Sequence, residues 1–218
     1  MLFCHVTTRV PTDKDQGLLK EKGGTGFPYL IWMDAEGTVI QKQGGRTVSA
    51  FQKTATYLEL KRKRAAGDTT VAAELLITGA ELGDVTPEQV AKDRAGLELD
   101  AAQLQRLDAA LFHAEIRTTL QGIGRDPAKK EAAGKTFLAH YHAGKLPSDS
   151  ADMQVSLGYW SLLLDVALAA ADVEAYEAGV VAIETVFTRN NIKNPGAVKF
   201  IADIKAKLEG LKAPPPPK

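Results

Sequence analysis

GGTGFPYLIWMDAEGTVIQKQGG, residues 23 to 45, holds two short apolar runs separated by one tight reversal. Gly26-Phe27-Pro28 is a turn signal, and Tyr29 to Met33 follows as a run rich in aromatic and branched side chains. Asp34-Ala35-Glu36-Gly37 then reverses the chain into Thr38-Val39-Ile40. Runs of this composition fit a pleated, half-buried surface, and Gly at the end of a short link allows the backbone to double back. The pattern predicts a β-hairpin.

Upstream of it, Leu2 to Val6 reads as a buried strand, Thr7 to Asp15 as a polar loop, and Gln16 to Lys22 as a short helix stopped by Gly23-Gly24. Downstream, a helix over residues 47–64 places Val48, Phe51, Ala55 and Leu58 at three- and four-residue spacings, which predicts one apolar face. It ends in Lys61-Arg62-Lys63-Arg64. The expected order over residues 1–65 is strand, helix, strand, strand, helix. Leu2 to Val6 is expected to lie parallel to Tyr29–Met33 through a right-handed crossover, with Thr38–Gln41 antiparallel to the latter.

This order, with Gly-Phe-Pro and the Asp-x-x-Gly hairpin, resembles the C-terminal half of the thioredoxin fold. The resemblance covers about the first 65 residues and implies a partial β-α-β-β-α unit. Pro28 is similar to the proline that takes a cis bond beside the redox site of that family, and Phe27 to the residue before it. The resemblance therefore implies Phe27 and Pro28 as substrate-binding positions. The half of the fold that carries Cys-x-x-Cys has no counterpart here. With a single cysteine, Cys4, neither an intrachain disulfide nor a dithiol cycle can form. Cys4 lies inside an apolar run only 24 positions before Pro28, whereas a βαβ unit alone takes ~30 residues or more. A buried, inert thiol is expected, and the chain as it stands is expected to be redox-inactive.

From residue 66 to 212 the pattern predicts an α-helical domain. Asp68 is expected to cap a helix running to Gly83. Thr86-Pro87-Glu88-Gln89 combines a capping hydroxyl, proline in the first turn and Gln three residues after the cap. Asp100 opens a long helix with Leu104, Leu107, Leu111 and Leu120 toward one side, and Asp126-Pro127 and Asn194-Pro195 are further starts. Ser150 to Ala171 and Val173 to Arg189 read as a helical pair broken at Ala171-Asp172. This region resembles the extensions that follow thioredoxin-like domains in some bacterial exported proteins. Gly158-Tyr159-Trp160 with Ala175-Tyr176, Ala182 and Phe187 also resembles one tetratricopeptide unit, although stacked repeats need about three. Tyr159 and Trp160 are expected in the core. Residues 213–218, Ala-Pro-Pro-Pro-Pro-Lys, form a Pro-rich tail that cannot continue a helix and is expected to be disordered.

Composition excludes several function classes. Lys plus Arg total 27 and Asp plus Glu total 27, so no global field steers the chain to nucleic acid or an anionic membrane. No apolar stretch approaches the ~18 residues of a membrane-spanning helix. Among the histidines, His140 and His142 stand two apart on a helix, as do His113 and Glu115, and side chains at that spacing do not converge. No metal site and no cofactor are expected. Gly23-Gly24-Thr25-Gly26 lacks the Gly-Lys-Ser/Thr ending of a phosphate loop, and Lys61 to Arg64 suits a helix C-terminus in solvent. The opening on an apolar run predicts a chain whose upstream half is missing. A longer, exported parent fits the same residues, so the compartment is not fixed. Two readings follow: a non-catalytic binding or structural module, or the C-terminal fragment of a thiol-disulfide oxidoreductase. No catalytic residue is expected within the chain. The expected partner is a protein or peptide, or a second copy through the open sheet.

Overall fold

A computed structural model describes residues 17–26 and 28–213. The chain divides into two compact units between Asp84 and Val85. The described residues are mostly helical, with one small antiparallel sheet among them.

The first unit contains α1 (Leu18–Glu21), β1 (Ile31–Met33), β2 (Val39–Lys42), α2 (Val48–Ala65) and α3 (Ala72–Leu82). The hairpin forms where the sequence predicts it. Ile31 faces Lys42, Trp32 faces Gln41, and Met33 faces Val39 across an irregularity after Trp32. Asp34 builds the reversal. Its carboxylate accepts from the backbone N–H of Glu36 at 3.1 Å and of Thr38 at 2.7 Å, the side-chain mimicry of a backbone turn that Asp performs readily. Gly37 sits at φ 81°, a conformation that a Cβ disfavours. Among the described residues the sheet has two strands. The expected third strand, Leu2–Val6, lies outside them, as does Cys4.

The apolar face expected on α2 is corrected in part. Val48 is 75% exposed and Ala55 is also in solvent, while Thr54, Tyr57 and Leu60 are buried. The reason is α3, whose Leu76, Ile77 and Ala80 are buried and which packs on α2. Lys53 and Glu81 join the two helices at 2.9 Å. This pairing carries the first unit to Asp84, beyond the expected end at residue 65. Asp68 also does something other than cap: it accepts from Thr70, and α3 starts only at Ala72, with Val71 in the cap position.

The second unit contains α4 (Pro87–Asp93), α5 (Ala101–Ile123), α6 (Pro127–His142), α7 (Met153–Ala169), α8 (Val173–Arg189) and α9 (Pro195–Lys212). Each begins at a side chain that accepts a hydrogen bond from a first-turn N–H group: Thr86, Asp100, Asp126, Asp152, Asp172 and Asn194. Asp100 and Gln103 complete a reciprocal capping box. Asp152 starts α7 at Met153, three residues after the expected Ser150. On α5, Leu107 is fully buried, but Ala110, Phe112, His113 and Ile116 carry the rest of the buried side, with Leu104, Leu111 and Leu120 only half-buried.

The core of this unit centres on Tyr159, which is fully buried, as expected. Its ring stacks on Phe137 at 4.8 Å and meets Phe112 and Trp160 edge-on at 6.0 and 5.1 Å. Its hydroxyl donates toward the carbonyls of Phe137 at 3.0 Å and Lys145 at 3.2 Å. Helices α6 and α7 approach closely at Gly134, where a Cβ would stand 2.6 Å from the Leu162 carbonyl oxygen.

Candidate functional site

The expected substrate-binding pair is only half described. Pro28 is exposed, whereas Phe27, and with it the Phe27-Pro28 peptide bond, lies outside the described residues. Behind Pro28, Tyr29 donates its hydroxyl to the Lys22 carbonyl at 3.0 Å. Trp32 is half-buried, and its indole N–H donates to Gln43 Oε1 at 2.8 Å. Gln43 is buried and donates in turn to the Gly45 carbonyl at 2.8 Å.

A second polar node closes the first unit. Gly83 takes a left-handed conformation at φ 73° and ends α3, which sends Asp84 back toward the hairpin. There the Asp84 carboxylate accepts from the Tyr57 hydroxyl at 2.7 Å and from the Gln41 amide at 3.0 Å. Burial pushes the Tyr57 hydroxyl well above the usual phenol range, and the hydrogen bond to Asp84 and its charge add to the rise. Burial would raise the Asp84 carboxyl, but the bonds from Gln41 and Tyr57 and the charge of Lys61 outweigh it and hold it low. These groups are consumed by their mutual bonds, and the node ties β2, α2 and α3 together.

The histidines of the second unit are similarly engaged. His113 accepts the backbone N–H of Ser148 at 3.2 Å, His140 faces Glu115 at 3.6 Å, and His142 pairs with Asp172 at 2.9 Å. Glu115 also pairs with Lys145 at 2.8 Å, whose ammonium stands 4.3 Å above the Phe112 ring. Among the described residues, no three metal-competent side chains converge. No helix in the same set is long and apolar enough to cross a membrane.

Among the described residues, a recess of about 250 Å³ lies between α8 and α9, lined by Glu184, Phe187, Ile192, Lys193, Val198 and Ile201 among others. Its construction follows from the end of α8. Asn191 adopts φ 52°, and the N–H groups of Asn191 and Ile192 return to the carbonyls of Thr188 at 3.1 Å and Phe187 at 2.9 Å. This double return characteristically brings the residue after the left-handed position against the helix it terminates. Here those two residues are Ile192 and Phe187, and both line the recess. Asn194 then caps α9, accepting from Ala197 N–H at 2.9 Å. Val198 is 62% exposed, and Phe200 is 37% exposed with its ring 6.2 Å from that of Phe187. The sequence reading named Phe187 only as part of a repeat pattern and missed the recess. Asn190-Asn191-Ile192, with Asn tolerant of the left-handed region, was the signal that could have found it.

Comparisons with family models, with curated proteins and with solved structures return no match.

Proposed function

We propose that this chain is a non-catalytic binding module, in which a partial thioredoxin-like unit precedes a helical unit that holds a protein partner. The observation that carries the reading is the apolar recess between α8 and α9, with Val198 and Phe200 left in solvent beside it. Large apolar side chains gathered at one exposed place are characteristic of interaction surfaces. Tyr57, Asp84 and Gln41 are already bonded to one another, and a single cysteine offers no dithiol chemistry. Support for the thioredoxin-like part is narrower: the hairpin of β1 and β2, its Asp34 turn, and α2 following in the expected order. On that reading Phe27 and Pro28 are the positions of the first unit offered to a peptide.

Insulin-disulfide reduction tests the absence of catalysis. The full chain is expected to give the rate of a blank, with Cys4→Ser indistinguishable from it. Turnover abolished by Cys4→Ser would overturn the non-catalytic reading.

A further inference from the structure

The charges around the α8–α9 recess do not balance. Glu184 in its wall is paired with Lys205, and Lys199 is paired with Asp203 at 2.6 Å. Arg189, at the end of α8, is turned away to the Asp149 carbonyl. Lys193 has no acidic partner among the described residues, yet it stands in the wall of the recess, in the link directly before α9. The N-terminal end of that 18-residue helix adds its own partial positive charge on the same side. Among the described residues, one unpaired cation and a helix N-terminus therefore stand beside the apolar lining of Phe187, Ile192, Val198 and Ile201.

The size of the recess narrows the occupant. Small-molecule sites run to ~300–1,000 Å³, and a volume of about 250 Å³ suits one or two side chains of a larger partner. Its form narrows it further, because a groove between two packed helices is the site into which an amphipathic helix lays its apolar face. Val181 lies three residues before Glu184 and seven before Thr188, on the side of α8 that lines the recess, and it is 58% exposed. It adds one more exposed apolar side chain to that side of α8. Resting on the binding-module reading above, we infer that the recess receives an amphipathic helix of a protein partner whose apolar anchors are flanked by an Asp or Glu that pairs with Lys193.

The test is selection of a displayed library of random 16-residue peptides on the full chain, with parallel selections on Val198→Asp and Lys193→Glu. Both substituted side chains are exposed in the native chain, and circular dichroism with a thermal melt verifies that each variant folds. The expected result is a consensus with apolar residues at helical spacing and an acidic neighbour. Binding of those peptides should be lost in Val198→Asp and weakened at least tenfold in Lys193→Glu. Selected peptides that bind wild type and Lys193→Glu equally would overturn the role of Lys193 and leave the binding-module reading standing. No enrichment on the wild-type chain over Val198→Asp would overturn both.

Discussion

Tyr159 allows the ring and the hydroxyl of one core residue to be weighed separately. Its ring is fully buried among Phe112, Phe137 and Trp160, and its hydroxyl reaches the carbonyls of Phe137 and Lys145. In Tyr159→Phe the packing is kept and only the donor is removed. The Phe137 carbonyl belongs to the interior of α6, whereas the Lys145 carbonyl lies beyond that helix in the following loop. One net hydrogen bond is worth about 0.5–1.5 kcal/mol and an orphaned buried acceptor about 1–3 kcal/mol, so about 1–2 kcal/mol is expected here. Tyr159→Ala removes the ring as well and falls in the range of about 3–5 kcal/mol seen for aromatic truncations. Urea unfolding followed by circular dichroism measures both, read as a shift in midpoint at constant slope. A neutral Tyr159→Phe would refute the hydroxyl's role, and a Tyr159→Phe as costly as Tyr159→Ala would refute the primacy of ring packing.

Three further outcomes are expected. Asp34→Ala removes the acceptor of two turn N–H groups and should lower the stability of the first unit by about 0.5–1 kcal/mol in thermal melts, with Asp34→Asn closer to wild type; equal losses in the two variants would discount the turn bonds. Gly134→Ala puts a methyl group 2.6 Å from the Leu162 carbonyl oxygen, a backbone atom that no rotamer change can move. A cost of about 1–3 kcal/mol is expected from such overpacking, and an unchanged melting temperature would contradict the close approach of α6 and α7. Burial raises the hydroxyl pKa of Tyr57, Tyr141, Tyr159 and Tyr176, with nearby negative charge adding to the rise for Tyr57, Tyr141 and Tyr176. For a group raised on folding, the stability it contributes is complete below its unfolded pKa of about 10 and declines as pH climbs toward the folded value. Urea midpoints should therefore fall progressively above about pH 10, and a flat profile to pH 11.5 would refute this.

The sequence was most legible where structure depends on one side chain and its own neighbours. The caps at Thr86, Asp100, Asp126 and Asn194 and the reversal at Asp34 are all chemistry within three or four residues, and all stand where expected. Legibility failed where a distant partner decides. Val48 and Ala55 have helical spacing with Phe51 and Leu58, but α3 docks on the side that carries Tyr57 and Leu60. The break expected at Ala171-Asp172 does form there, and its chemistry is again local. Ala171 holds φ 54° between α7 and α8, a conformation usually given to Gly, because Asp172 must both close α7 and cap α8. The recess between α8 and α9 needs five separate stretches of two helices and a link to be in place at once, and only the Asn190-Asn191-Ile192 turn announces any part of it locally.

The two tryptophans give the molecule a built-in pair of optical probes, one in each compact unit. Trp32 is half-buried with its indole N–H bonded to an amide oxygen, while Trp160 sits in a nearly dry aromatic core. Their emission should differ accordingly, redder for the first and bluer for the second. Single-tryptophan variants would then follow each unit on its own, and coincident or separate melting curves would decide whether the chain unfolds as one cooperative system or as two.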